Sequence, residues 1–165
     1  MSDRLLIAVL GNRNSGKSTT WNRLFDGTVK TGKYERQLYL NSAQSVNVFL
    51  ISGSPEEREM KVGEILPETL PQIVLCSTQY RGDVIKTFDY FFREGYDVFV
   101  QWLNPGYSDD ASYDDLFALR DYLLRNGATL QVRDGQVEPT PRVKEIRQYI
   151  LGWASYRNLI WTEFP

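Results

Sequence analysis

The chain has 165 residues, 42% of them hydrophobic and 24% charged, the composition of a folded globular domain long enough for a central sheet covered on both faces. Its 19 basic and 21 acidic residues leave a formal net charge of −2, so a general nucleic-acid-binding surface is not indicated. It has no histidine, which excludes histidine triads and imidazole-ligated metal centres. Its one cysteine, Cys76, follows the apolar run 73–75 and reads as a small buried hydrophobe that cannot form an intrachain disulfide. No stretch reaches the roughly 18 apolar residues of a membrane span, and the short apolar run near the start leads straight into a polar loop. A cytoplasmic protein, with residues 1–165 as one domain, is the expectation.

The first element is the apolar run Leu5-Leu6-Ile7-Ala8-Val9-Leu10, predicted as a buried strand. It leads into Gly11-Asn12-Arg13-Asn14-Ser15-Gly16-Lys17-Ser18, continued by Thr19-Thr20-Trp21-Asn22-Arg23-Leu24-Phe25. The spacing is Gly, four residues, Gly-Lys-Ser, set between a predicted strand and a predicted helix, the context that a phosphate-binding loop requires. Glycines at both ends let the backbone curl its N–H groups toward a phosphate chain, and the following helix adds open donors and a positive dipole end. Gly11, Asn12, Arg13, Asn14, Ser15, Gly16, Lys17, Ser18 and Thr19 are thus the candidate nucleotide-binding residues. Lys17 is expected to reach the β/γ oxygens of ATP or GTP from an exposed position, and the Ser18 hydroxyl to ligate Mg²⁺. The helix is predicted from Lys17 to about Asp26, with Gly27 as a left-handed stop.

This segment resembles the P-loop NTPase superfamily. Within it, residues Gly11 to Leu24 resemble the GTPase branch, the Ras-like and Era-like small GTPases and their dynamin-like relatives. Asn14 stands where nucleotide kinases usually carry a further glycine, and Asn22, Leu24 and Gly27 read like the rest of the family's first helix. The matching motif covers about a tenth of the chain.

The polar loop 28–34 follows. By the resemblance it is a first switch loop, in which Thr28 or Thr31 would close over Mg²⁺, with Thr31 the metal candidate; an ordinary solvated loop stays an open alternative. Runs 37–40 and 46–51 are predicted as an antiparallel hairpin. Ser54 and Glu57 then stand at capping-box spacing with Pro55 at the first helical position, which predicts a helix to about Leu66. In the family this strand end carries Asp-x-x-Gly. Here Ser52 replaces the Asp and Pro55 the Gly, while Glu56 falls near the water-positioning place and is the catalytic candidate beside Lys17. Helix-end charges favoured by the dipole are the alternative for Glu56 and Glu57.

A buried strand is predicted over 72–77, a helix from Gly82 to Gly95 with an aromatic core face, and a buried strand from Asp97 to Leu103. Asn104-Pro105-Gly106-Tyr107 then occupies the place of the family's guanine-reading Asn-Lys-x-Asp, and only Asn104 fits it, so ATP and GTP both remain candidates. A helix over 113–125, burying Leu116, Phe117, Leu119 and Leu123, a strand over 129–133 with the turn pair Asp134-Gly135, and a helix opened by Thr140 and Pro141 complete the order.

The pattern predicts an α/β, three-layer P-loop fold, with a mainly parallel six-stranded sheet, one antiparallel edge hairpin and helices on both faces. The functional expectation is a purine nucleoside triphosphate-binding protein that hydrolyses slowly or with a protein partner. The alternatives are a small-molecule or nucleotide kinase using Arg81, Asp83 and Arg120 or Arg125, and a non-hydrolysing pseudo-GTPase.

Overall fold

A computed structural model describes residues 2–163. The elements run β1 (Arg4–Gly11), α1 (Lys17–Leu24), β2 (Arg36–Tyr39), β3 (Gln44–Ile51), α2 (Val62–Ile65), β4 (Ile73–Gln79), α3 (Val84–Arg93), β5 (Tyr96–Leu103), α4 (Leu119–Arg125), β6 (Thr129–Arg133), α5 (Thr140–Ser155) and β7 (Trp161–Thr162). The sheet order is β2-β3-β4-β1-β5-β6, with β7 on β3. β3, β4, β1, β5 and β6 are mutually parallel; β2 and β7 are antiparallel to β3. The fold class is therefore as expected, mainly parallel with an antiparallel hairpin at the edge. The sheet gains a seventh strand because Trp161 and Thr162 pair with Gln44 and Ser45, ahead of the β3 stretch that pairs with β4.

Alternation along β1 divides the core into two layers. Leu5, Ile7 and Val9 face Trp21 and Leu24 of α1 and Val143, Ile146 and Ile150 of α5. Leu6, Ala8 and Leu10 face Val84, Phe88 and Phe91 of α3 and Leu119 and Leu123 of α4. Burial of each large side chain in these layers favours folding by about 1.5–3 kcal/mol, so β1 is fixed from both sides and the loop at its end starts from a rigid base.

Three predicted boundaries move. The Ser54–Glu57 capping box does form, with Glu57 N–H donating to Ser54 Oγ at 3.3 Å. It opens a single turn, which Glu59 at φ 53° ends by returning Met60 N–H to Pro55 O at 3.0 Å, so only the four residues of α2 are helical beyond it. α4 begins at Leu119, since the Asp115 carboxylate accepts the N–H groups of Leu119 and Arg120 at 3.0 and 2.7 Å and starts the helix there. Leu116 and Phe117 stay outside it and are exposed, contrary to expectation. At the end of α1 it is Asp26, at φ 55°, that turns left-handed, while Gly27 N–H closes onto Asn22 O at 3.0 Å.

Strand order decides which loops meet. β1 lies between β4 and β5, so β3 is next but one, roughly 10 Å away at the usual strand spacing. β4 runs to Gln79 and leaves Cys76, buried and unbridged, opposite Ala8 in mid-strand. The residue at the carboxyl end beside the glycine-rich loop is Gln79.

Candidate functional site

The loop between β1 and α1 is held by glycines at close approaches. A Cβ on Gly11 would sit 2.8 Å from the Ser15 Cβ and closer still to its hydroxyl. Gly16 caps α1 at φ 103°, and Asn14 takes φ 57°. The carbonyls of Ser15 and Asn14 accept the N–H groups of Tyr107 and Ser108 at 2.9 and 3.1 Å. A third backbone stretch packs on these two: Gly135 N–H donates to Pro105 O at 2.7 Å, and a Cβ on Gly135 would lie 2.7 Å from Ser15 O and 3.0 Å from Gly106 Cα. The Asn104–Pro105 peptide in the middle stretch is cis. Asp109 ties the assembly from outside, accepting Gly106 N–H at 2.7 Å and the Asn12 amide at 3.3 Å.

No side chain caps α1, and its first backbone bond is Thr20 N–H to Gly16 O at 3.0 Å, so the N–H groups of Lys17, Ser18 and Thr19 have no partner within the helix. They face a cleft of about 870 Å³. Arg13 to Thr19 form its floor, Ser52–Ser54 and Glu57 one wall, and Tyr107, Ser108, residues 135–139 and Arg142 the other.

Lys17 is buried, not exposed as expected. Its ammonium donates to Gly11 O, Asn12 O and Gln79 Oε1 at 3.2, 2.8 and 2.9 Å, with Glu57 3.8 Å away. Burial pulls its pKa below the ordinary lysine value, and Glu57 and Glu56 oppose that shift. In this arrangement the cation is held by the carbonyls of its own loop, at the floor of the cleft.

Glu56 is placed elsewhere than the sequence predicts. Its carboxylate lies beneath the cleft wall, accepting Gln79 N–H at 2.7 Å and the Thr87 hydroxyl at 2.5 Å, and burial raises its pKa. It fastens the 55–59 turn to β4 and α3 and does not line the cleft; Glu57, its neighbour, does. Thr31 accepts Ser52 N–H at 2.8 Å and holds loop 28–34 against the end of β3, so its oxygen is committed to that backbone and it is not among the cleft-lining residues. Thr28 is likewise outside the lining. Asn104 is committed too: its amide donates to Tyr113 O and accepts Tyr113 N–H, both at 2.9 Å, and does not line the cleft. Arg81 pairs with Asp83 at 3.3 Å and donates to Glu56 O at 3.1 Å beyond the wall, and Arg120 and Arg125 stand on α4 away from the cleft.

Sequence reasoning did not assign to the site Gln79 and Gly106, which pack on the loop, or the wall residues Tyr107, Ser108, 135–139 and Arg142. The Asp134-Gly135 turn was visible as a turn, but its approach to Ser15 depends on tertiary packing.

The donor set suits a phosphate chain: unpaired helix N–H groups, a lysine within the loop, and a concavity that any Cβ at Gly11 would disturb. For Mg²⁺ the cleft offers the exposed Ser18 hydroxyl and, across from it, Glu57. Among the described residues no group of three or more Asp, Glu, His or Cys could hold a metal. With so few protein oxygens, Mg²⁺ would fit here only if a ligand's phosphates supplied most of its coordination, with Ser18 and Glu57 as the side chains that would hold it.

No protein-family model matches the chain, and no curated protein matches it. Among solved structures, it is similar to a de novo designed protein of the PLOOP2X3 fold, known from solution NMR, at 16% identity and a TM-score of 0.50 over 91% of this chain and 96% of that one. A second de novo designed protein, also from solution NMR, matches at 12% identity and a TM-score of 0.45 over 90% of each chain. The likeness at a TM-score of 0.50 shows the fold alone, an α/β fold like that of the designed PLOOP2X3 protein. The resemblance to the P-loop NTPase superfamily and its Ras-like and Era-like GTPase branch is corrected: the similar structure is a designed protein, not a natural P-loop GTPase, and no family or curated match supports that family. No helix among the described residues is long and apolar enough to cross a membrane.

Proposed function

We propose that the cleft binds the phosphate chain of a purine nucleoside triphosphate with Mg²⁺, and that the protein turns it over slowly or only with a protein partner, in the cytoplasm. The observation that carries this reading is Lys17. A buried ammonium satisfied by its own loop carbonyls, beside three open N–H groups at the start of α1, is a cation held ready for an anion. Slow turnover follows from the carboxylates. Glu56 is committed to Gln79 and Thr87, and Glu138 on the far wall is paired with Arg23 at 2.6 Å, which leaves Glu57 as the cleft-wall acid without an arginine partner to order a metal-bound water. Weak choice of base follows from the nucleoside end, where the amide of Asn104 and the carboxylate of Asp109 are both engaged within the protein.

The test is calorimetric titration of the purified protein with ATP and with GTP, with and without Mg²⁺, followed by phosphate release in the absence of any acceptor. Binding of both nucleotides within about tenfold of one another, or 1.4 kcal/mol, with turnover no faster than roughly 10⁻² s⁻¹, is expected. Absence of binding to either would refute the reading. Binding with no turnover even after weeks would reduce it to a non-hydrolysing binding module, a reading that the buried position of Glu56 favours over kinase chemistry.

A further inference from the structure

Arg142, the third residue of α5, is 4% exposed, and its guanidinium borders the cleft. A buried charge costs free energy unless it is paired, yet Arg142 makes no salt bridge among the described residues. Glu138 and Asp134 are the acids that act on it, and Glu138 pairs instead with Arg23 at 2.6 Å. Of the five guanidinium N–H donors, one reaches Val137 O at 3.3 Å and one the Thr20 hydroxyl at 3.2 Å, and the buried Nε has no partner. A purely structural arginine would be expected to spend its donors on the protein.

The position of the group says what it faces. Gly16 directs its missing Cβ toward Arg142 Nη2 at 3.4 Å, with Gly135 O and the Leu103 side chain at 3.8 Å, so Arg142 lies on the β5–β6 side of the glycine-rich loop. The Lys17 ammonium lies on the other side, against Gln79 of β4 and near Glu57. Two cations therefore flank the open N–H groups of α1, and the wall formed by residues 135–139 stands at the arginine end.

We infer that Arg142 is a second phosphate contact. It holds the phosphate nearest the nucleoside while Lys17 holds the terminal one, so the cleft takes nucleoside diphosphates as well as triphosphates. This rests on the nucleotide-binding reading above. The guanidinium fork suits phosphate oxygens, and it forms charge-assisted bonds stronger than neutral ones. Its present lack of a carboxylate is what an anion site requires, since a fixed counter-ion would have to be displaced first.

The experiment compares ADP and ATP titrations of the unaltered protein, Arg142→Gln, Arg142→Lys and Lys17→Ala, with urea unfolding of each ligand-free form. Arg142→Gln is expected to weaken ADP and ATP by the same factor, about tenfold or more, and to leave ligand-free stability unchanged or raised. Lys17→Ala is expected to weaken ATP more than ADP. Arg142→Lys, which keeps the charge and loses the fork, should show a smaller loss, equal for the two ligands, and it carries the test if the glutamine form does not fold. An arginine variant that loses stability with both affinities kept within twofold would make Arg142 a structural tie and overturn the inference. So would a loss confined to ATP. Wild-type protein that binds neither nucleotide would bring down the reading of the cleft itself, whereas unchanged affinity in the variants brings down this inference alone.

Discussion

Gly135→Ala tests whether the glycine-rich loop is shaped by its own sequence or by the two backbone stretches pressed against it. The φ of Gly135 is not positive, so alanine can adopt its backbone conformation and the perturbation is steric. The new methyl carbon would stand 2.7 Å from Ser15 O, 3.0 Å from Gly106 Cα and 3.1 Å from Pro105 O. All three are backbone atoms that cannot rotate away. Restoring ordinary contact requires the loops to part by about half an ångström or more, which strains the bonds Gly135 N–H to Pro105 O and Tyr107 N–H to Ser15 O. Overpacking typically costs about 1–3 kcal/mol, and loss of one backbone bond adds about 0.5–1.5 kcal/mol, so a destabilisation of about 1–4 kcal/mol is expected. Urea unfolding followed by fluorescence of the four tryptophans measures it; by calorimetry the melting point should fall about 2–4 °C per kcal/mol for a chain of this length. Nucleotide affinity should fall as well, because the Ser15 carbonyl sets the loop. Gly27→Ala, with nothing within 4 Å of its Cβ position, is the control and should change neither. An unchanged urea midpoint in Gly135→Ala would refute the three-loop packing.

Lys17→Ala should abolish triphosphate binding and also cost about 1 kcal/mol of stability, since it strands Gln79 Oε1 and two loop carbonyls; the relief of a desolvated charge offsets part of the loss. Burial raises the folded pKa of Glu56 above its ordinary 4.5, so the folded state holds the proton more tightly. The Glu56 contribution is therefore fully present below about 4.5 and is lost as pH rises through the raised folded value. Wild type should lose stability relative to Glu56→Gln between pH 4.5 and neutrality, and urea midpoints at the two ends of that window check the sign. Gly152→Ala, on an exposed position in α5 with open space at its Cβ, should stabilise by about 0.5–1 kcal/mol through helix propensity, and a lower melting point would contradict the placement.

Local physics made most of the scaffold readable. Continuous apolar runs such as 5–10 and 73–76 mark strands buried on both faces, and Val84, Phe88 and Phe91 at helical spacing mark the face of α3 that meets the sheet. Misplaced boundaries arose where a nearby side chain started a helix late or a single left-handed residue ended one early. Asp115 restarts the backbone at Leu119, and Glu59 closes the 55–59 turn; neither is distinguishable by type from the many acidic residues that sit harmlessly in helices. The site was legible only where it is contiguous. Residues 11–19 could be read as a unit because their chemistry needs adjacent backbone groups. Asn104 could not be excluded, since its capture by the Tyr113 backbone depends on the path of loop 104–118. Arg142 gave no signal at all, because an unpaired arginine differs from a paired one only in three dimensions.

The same limit governs the acidic side of the cleft. Chain order alone cannot say whether β3 or β4 lies beside β1, since both are apolar parallel strands reached by crossovers of ordinary length. With β4 in that place, the group facing Lys17 is the amide of Gln79, which accepts one hydrogen bond and brings no charge. Ser52, on the strand beyond, lines the mouth and gives its N–H to Thr31. The cleft thus presents Lys17 and Arg142 as buried cations and two exposed carboxylates on its walls, Glu57, held 3.8 Å from Lys17, and Glu138, paired with Arg23. On the function proposed above, a triphosphate with one Mg²⁺, of net charge about −2, would match the two buried cations, and Glu57, which has no arginine partner, would be the carboxylate left to orient water on that ion.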